Sequence, residues 1–133
     1  MNELLKPWRG VGDFNGRATR KEYWSGVIQF TLVFFLLAAL LVGLIEAFQS
    51  AAVTIIMGIA LFGFVVFAAI ASTALGIRRS HDFDVTGWLV LTMYIPYAGW
   101  IAMIVIGCIP GTAGNNRWGA DPLGGPSLQQ VFS

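Results

Sequence analysis

From Gly26 to Ile77 the chain carries a single formal charge, Glu46, and from Thr86 to Pro110 it carries none. Uncharged apolar stretches of this length match the hydrocarbon core of a bilayer, roughly 30 Å thick and spanned by about 20 helical residues at about 1.5 Å each. Composition agrees. Hydrophobic residues make up 56% of the 133 and charged residues 11%, against about 25% charged in soluble domains. The mean hydropathy is +0.72. These numbers point to an integral membrane protein. With a net charge of +1, they do not suggest a nucleic-acid partner. The first apolar run begins late and is too long for the apolar region of a signal peptide, so the chain is read as uncleaved.

The expected architecture is an all-α membrane protein, one membrane domain over 1–133. Three transmembrane helices are placed at about 24–45, 51–77 and 88–109, and the polar tail 111–133 is expected to be flexible at its end. Residues Met1 to Tyr23 form a polar, basic lead-in, cytoplasmic or interfacial. Within it, Thr19-Arg20-Lys21-Glu22 reads as a capping box, with the Thr19 hydroxyl accepting from the Glu22 N–H and the Glu22 carboxylate from the Thr19 N–H. A helix should therefore start near Arg20, with Tyr23 and Trp24 at headgroup level. Glu46, Gln49 and Ser50 mark a short polar turn, and residues 78–87 a polar loop. Pro110-Gly111 ends the third segment.

Lysine and arginine counts set orientation. The lead-in holds five, the Glu46 turn none, the Arg78-Arg79 loop two and the tail one, Arg117. Three spans then give seven cations against one, with the N-terminus cytoplasmic and the C-terminus outside. The centre of the third segment complicates this. Tyr94-Ile95-Pro96-Tyr97-Ala98-Gly99-Trp100 combines a proline, a glycine and three aromatics bearing polar atoms, more typical of an interface than of a bilayer centre. It is either a kinked span whose polar rings face neighbouring helices or a re-entrant hairpin turning back near Pro96, which would bring the tail to the cytoplasmic side.

Small residues spaced four apart can bring membrane helices close. Ala39 and Gly43, Ala68 and Ser72, Ala69 and Thr73, and Ala98 and Ala102 are such pairs. Gln29 is the least comfortable polar residue in a span and should face another helix. No Asp, Glu, Lys, Arg or His lies at mid-membrane depth, which argues against a proton-coupled transporter acting as a monomer. Cys108 is the single cysteine and His81 the single histidine, so no disulfide framework arises within one chain, and no metal site or cofactor is implied.

Three polar blocks stand apart from the apolar runs. The first is Phe14-Asn15-Gly16-Arg17-Ala18-Thr19-Arg20-Lys21-Glu22-Tyr23-Trp24. The second is Arg78-Arg79-Ser80-His81-Asp82 with Thr86-Gly87-Trp88. The third is Gly114-Asn115-Asn116-Arg117-Trp118-Gly119-Ala120-Asp121-Pro122. In order and content they resemble the signature blocks of a bacterial inner-membrane family, domain of unknown function 805, the YhaH/YhaI-like proteins. The Ile95-Pro96 to Gly99-Trp100 spacing also fits. The resemblance covers about residues 14 to 122. Ser80 stands where that family usually has leucine and Ala120 where it usually has proline. The resemblance implies a bacterial inner (cytoplasmic) membrane protein and supplies no reaction.

The candidate polar cluster, or lipid-contact set, is Arg17, Arg20, Glu22, Arg78, Arg79, His81, Asp82, Arg117 and Asp121. The arginines can snorkel to lipid phosphates. Alternatively, Glu22, Asp82 and Asp84 neutralise some of them and lock helix ends together, since carboxylates near a membrane are costly unless paired. Asn116 and Asp121 suit turn N–H groups. The leading function is a structural or interaction module whose charged cytoplasmic collar contacts anionic headgroups or a membrane partner. An oligomeric small-solute transporter or channel component is the second reading. The third is a membrane-surface enzyme using His81 and Asp82, weakened because adjacent residues rarely point at each other and no motif places a nucleophile.

Overall fold

The computed structural model describes residues 5–124, so the far end of the tail, where flexibility is expected, lies outside the described residues. The elements among the described residues are α1 (Lys6–Arg9), α2 (Arg20–Phe48), α3 (Ala51–Asp82), the 3₁₀ helix Gly87–Tyr94 and α4 (Ala98–Cys108). Among the described residues the β pairing is one isolated bridge, Asn116 with Gly119.

The start of α2 falls where the capping signal places it. Thr19 is the N-cap, and its hydroxyl accepts from the Glu22 N–H at 3.1 Å. The reciprocal half of the box is absent. Glu22 turns instead to Arg78, whose buried guanidinium carries a full charge that needs a carboxylate partner. The helix ends at Phe48, and Gln49, in the left-handed conformation at φ 44°, closes it by donating to the Ile45 carbonyl. Ser50 then caps α3, so the connection is a two-residue turn.

Both long helices are far too apolar to be a soluble core. Their most hydrophobic 18-residue windows average 2.6 and 2.7 in hydropathy, yet 6% and 0% of those residues are buried in the fold. Apolar surface that the protein leaves uncovered has lipid as its natural solvent. At 29 and 32 residues the helices are about 44 and 48 Å long, so their ends project beyond the hydrocarbon.

α3 continues through Asp82, where a loop from Arg78 was expected. Polarity does not break it, because cations in a last turn favour the negative end of the helix dipole and Arg78, Arg79, His81 and Asp82 each find a partner in another segment. Ser80 bonds back to the Gly76 carbonyl of the same helix at 3.0 Å.

Residues 88–109 were expected as a third helical segment, either kinked or turning back near Pro96. The chain forms the 3₁₀ helix, reverses over 95–97 and returns as α4. Pro96 cannot supply a helical N–H, Tyr97 sits at φ 63°, and Gly99 lies so close to the Met93 carbonyl that a Cβ would overlap it. Both ends of this hairpin meet the last turn of α3. Val85 N–H donates to the Ser80 carbonyl at 3.1 Å on the way out, and Thr112 N–H to the Asp82 carbonyl at 2.8 Å on the way back. Near the tip, the Tyr94 hydroxyl bonds that of Thr73, nine positions before Asp82 and therefore about 14 Å along α3.

The buried core is Ala18, Tyr23, Leu75 and Ile106. Tyr23, expected at headgroup level, is enclosed, with its hydroxyl donating to the Met103 carbonyl at 3.1 Å. Close approaches occur at Gly26 against Leu75 and Pro7, Gly76 against Val90, and Gly107 against Tyr23 and Trp24. Gly43, singled out by its spacing, faces open space. Gln29 does face another helix. Its Oε1 accepts from Trp8 Nε1 at 2.8 Å, and the Trp8 ring meets Phe30 edge-on at 4.9 Å and stacks near Phe67 at 6.0 Å. The lead-in is thus not uniformly polar: α1 docks an indole between α2 and α3. Trp8→Phe removes this bond and trims the ring packed on Phe30 and Phe67, so it should cost at least about 0.5–1.5 kcal/mol in thermal unfolding of the purified protein.

Candidate functional site

The three polar blocks converge at one end of the fold. α2 brings Glu22 on its first turn and Arg17 just before it, α3 ends in Arg78 to Asp82, and the chain after α4 supplies carbonyls and turn residues. All of Arg17, Glu22, Arg78, Arg79, His81 and Asp82 are buried, Arg79 at 0% exposure.

Asp82 is the hub. One carboxylate oxygen accepts from Arg17 at 3.0 Å and the other from Arg79. The Asp82 carbonyl accepts from the Thr112 hydroxyl at 3.1 Å, and Gly111 packs so tightly on the carboxylate that a side chain there would displace it. Arg17 also donates to the carbonyls of Gly114 and Thr112, each at 2.6 Å. Arg79 also donates to Ile109, just past the end of α4. A second pair, Arg78 to Glu22 at 2.8 Å, ties α3 to α2, reinforced by Ala18 N–H donating to the Arg78 carbonyl at 2.9 Å.

Three guanidiniums thus meet two carboxylates. Backbone carbonyls take up much of the remaining donor capacity, including those at the negative ends of α3 and α4. Arg78 Nε and Nη2 and Arg79 Nε are buried without an acceptor. A cluster of this kind is costly to assemble and still more costly to break at one member.

His81 and Asp82 do not form a dyad. The His81 Nδ1–H donates to the Gly16 carbonyl at 3.1 Å, and its ring lies flat on Trp118, with centroids 3.7 Å apart and planes 4° from parallel. The third block is a built turn. Asn116 Nδ2 donates to the His81 carbonyl at 2.8 Å and to Thr112 Oγ1 at 3.0 Å, while its Oδ1 accepts from the Trp118 N–H at 2.9 Å. Asp121 accepts from the N–H groups of Leu123 and Gly114, and these bonds hold its carboxyl below the usual carboxylate range.

Three candidates lie outside the buried knot, the first being Asp121, half-buried in its own turn. Arg20 is exposed on the first turn of α2, beside exposed Lys21. Arg117 pairs with Asp84 at 3.1 Å on the surface, about half exposed. Thr112 is a working part that the sequence did not single out, and Gly111 was marked only as the end of the third segment. Neither belongs to a charged motif, and their role comes from where α4 ends.

Two long helices with apolar sides open to lipid, joined at one end by a polar knot, define a small helical membrane protein. The chain belongs to the family described as protein of unknown function (DUF805), whose model matches residues 11–120. It is 39% identical over 125 residues to the inner membrane protein YhaH of Escherichia coli (strain K12), covering 92% of this chain and 97% of that protein. It is 36% identical over 124 residues to the inner membrane protein YhaI of the same strain, covering 92% and 96%. No solved structure matches. The family match begins after α1 and takes in the first two polar blocks and the third as far as Ala120, leaving Asp121 and Pro122 outside it.

Proposed function

We propose that this chain is a structural or interaction module of the bacterial inner membrane, with two transmembrane helices and a re-entrant hairpin, its polar knot and both termini on the cytoplasmic side. A basic rim of Arg20 and Lys21 contacts anionic headgroups or a membrane partner. The observation that carries this reading is Asp82, which draws all three polar blocks to one end of α3. The hairpin path also sharpens the charge asymmetry. All eight lysines and arginines fall on one side and none on the other, a stronger bias than seven to one. Arg17, Arg78 and Arg79 hold the knot together from inside, which leaves the exposed cations for lipid phosphates.

A pair of C-terminal reporter fusions, one active only in the cytoplasm and one only outside it, tests the path. The cytoplasmic reporter should be active, and activity of the external one would refute the hairpin. The rim is tested by lipid co-purification. Arg20→Ala/Lys21→Ala should lower retention of phosphatidylglycerol relative to phosphatidylcholine, by up to about 1 kcal/mol for each charge removed. Unchanged relative retention would leave headgroup contact without support.

A further inference from the structure

Arg78 uses one of its three guanidinium nitrogens. Nη1 donates to Glu22 at 2.8 Å, while Nε and Nη2 are buried and meet no acceptor among the described residues. These two nitrogens form the side-on edge of the guanidinium, whose parallel N–H bonds match two oxygens of a phosphate or carboxylate. Arg78 thus holds an empty fork at 8% exposure. Charge agrees with the geometry. Among the described residues the three buried guanidiniums pair with two carboxylates, Glu22 and Asp82, so one positive charge stays unmatched, and a buried charge is costly without a partner. Arg17 and Arg79 also reach backbone carbonyls, which leaves Arg78 the least compensated of the three.

What covers the fork is α1. Gly10, the residue that ends this helix, lies so close that a Cβ would fall 2.3 Å from Arg78 Nη2 and 2.8 Å from Cζ. Two residues earlier, Trp8 holds the helix down through Gln29 Oε1, and the Nε2 of that same amide is buried without an acceptor. The docked position therefore leaves three donors unsatisfied around one short helix, and each carries its desolvation penalty while α1 stays down. The link to α2 supplies a pivot, since Gly12 and Gly16 lie at φ 80° and 78° and residues 12–15 are exposed. We propose that α1 is a lid over an oxyanion site, and that the phosphate of an anionic lipid takes the Arg78 fork when α1 lifts. The lipid as source rests on the proposed cytoplasmic position of the knot; the fork itself does not. Opening gives the phosphate the space that Gly10 fills and supplies the missing negative charge. Trp8 gives up its bond to Gln29 but keeps a favourable place, because an indole is well accommodated at headgroup depth.

The test uses the purified full chain in a maltoside detergent and a buffer without phosphate. The amides of Gly10 and Asp13, which donate within the lid segment, report opening by hydrogen exchange. Phenylglyoxal labelling, read by peptide mass spectrometry, reports access to Arg78. With no oxyanion added, Arg78 should react far more slowly than exposed Arg20. Trp8→Ala should speed Arg78 labelling at least about twofold, the lower end for one hydrogen bond lost from the closed state, and phosphatidylglycerol should slow it again by filling the fork. In the wild type, phosphatidylglycerol should speed exchange at Gly10 and Asp13. Arg78→Lys keeps a charge for Glu22 and removes the fork, so it should abolish that response. If the lysine variant does not fold, the labelling of Trp8→Ala decides. Inorganic phosphate, added in a separate arm, distinguishes the sources: a response to lipid alone assigns a headgroup, and a response to both widens the site to free phosphate. A response to neither would overturn the proposal, as would wild-type Arg78 reacting as fast as Arg20, or an unchanged response in folded Arg78→Lys. The basic rim is judged separately by Arg20→Ala/Lys21→Ala, which leaves the fork intact, so either result can fail without the other.

Discussion

Asp82→Ala should destabilise the folded protein by about 3–5 kcal/mol, the range observed when one partner of a buried ion pair is removed. Two guanidiniums depend on this carboxylate, Arg17 and Arg79, and neither has solvent to fall back on. Both are buried, Arg79 completely. Three of their remaining bonds run to carbonyls of the chain after α4, so losing Asp82 also loosens the return of the hairpin. Asp82→Asn keeps an acceptor and loses the charge, and should fall between wild type and alanine. Arg117→Ala breaks only the exposed pair with Asp84 and should cost no more than about 1 kcal/mol. Thermal or denaturant unfolding of the purified protein in one detergent reads all three. An Asp82→Ala protein within about 1 kcal/mol of wild type would mean that the knot does not support the fold.

The second large effect is expected from a single methyl group. Gly99→Ala places a Cβ onto the Met93 carbonyl, at the point where the hairpin reverses. Backbone cannot rotate away as a side chain can. Met93 is itself pinned, because its neighbour Tyr94 is bonded to Thr73 and Val90 packs against Gly76. Overpacking of this kind costs about 1–3 kcal/mol. The same substitution at Gly43, helical but facing open space, should be neutral or stabilising by up to about 1 kcal/mol, since alanine is the better helix former. Each variant adds one methyl group, and only Gly99→Ala is expected to lower the melting temperature. If both moved it equally, the turn at 95–97 would not be as close as described.

Much of this was legible in the residue order. The absence of charge over two long stretches is enough to specify helices in lipid, because an unpaired backbone polar group has no other shelter there. Thr19 and Glu22 marked the start of α2, since capping is a local contact within one turn. Gln29 announced a partner by its discomfort, although nothing local could name Trp8. Where the reading stopped short, the deciding contacts lay far apart in sequence. Polar residues at 78–82 resemble a loop when read locally, and only their long-range partners show why the helix continues. The spacing of small residues picked out Gly43, which packs on nothing. The close approaches at Gly26, Gly76 and Gly107 depend on which face meets which neighbour.

The course of residues 88–109 illustrates the division best. Composition determined that this segment is apolar and that Pro96 and Gly99 interrupt it, and both hold. Whether an interrupted segment kinks or folds back depends on what waits at its far end, which no local property encodes. Here Arg17 and Arg79 offer donors that the carbonyls of Ile109, Thr112 and Gly114 accept. The sequence by itself determined a helical membrane protein with three polar blocks, because hydropathy and capping act over a few residues. Only the tertiary structure decided that the three blocks form one buried knot around Asp82, because charges taken out of water are tolerated only where partners from distant segments meet them.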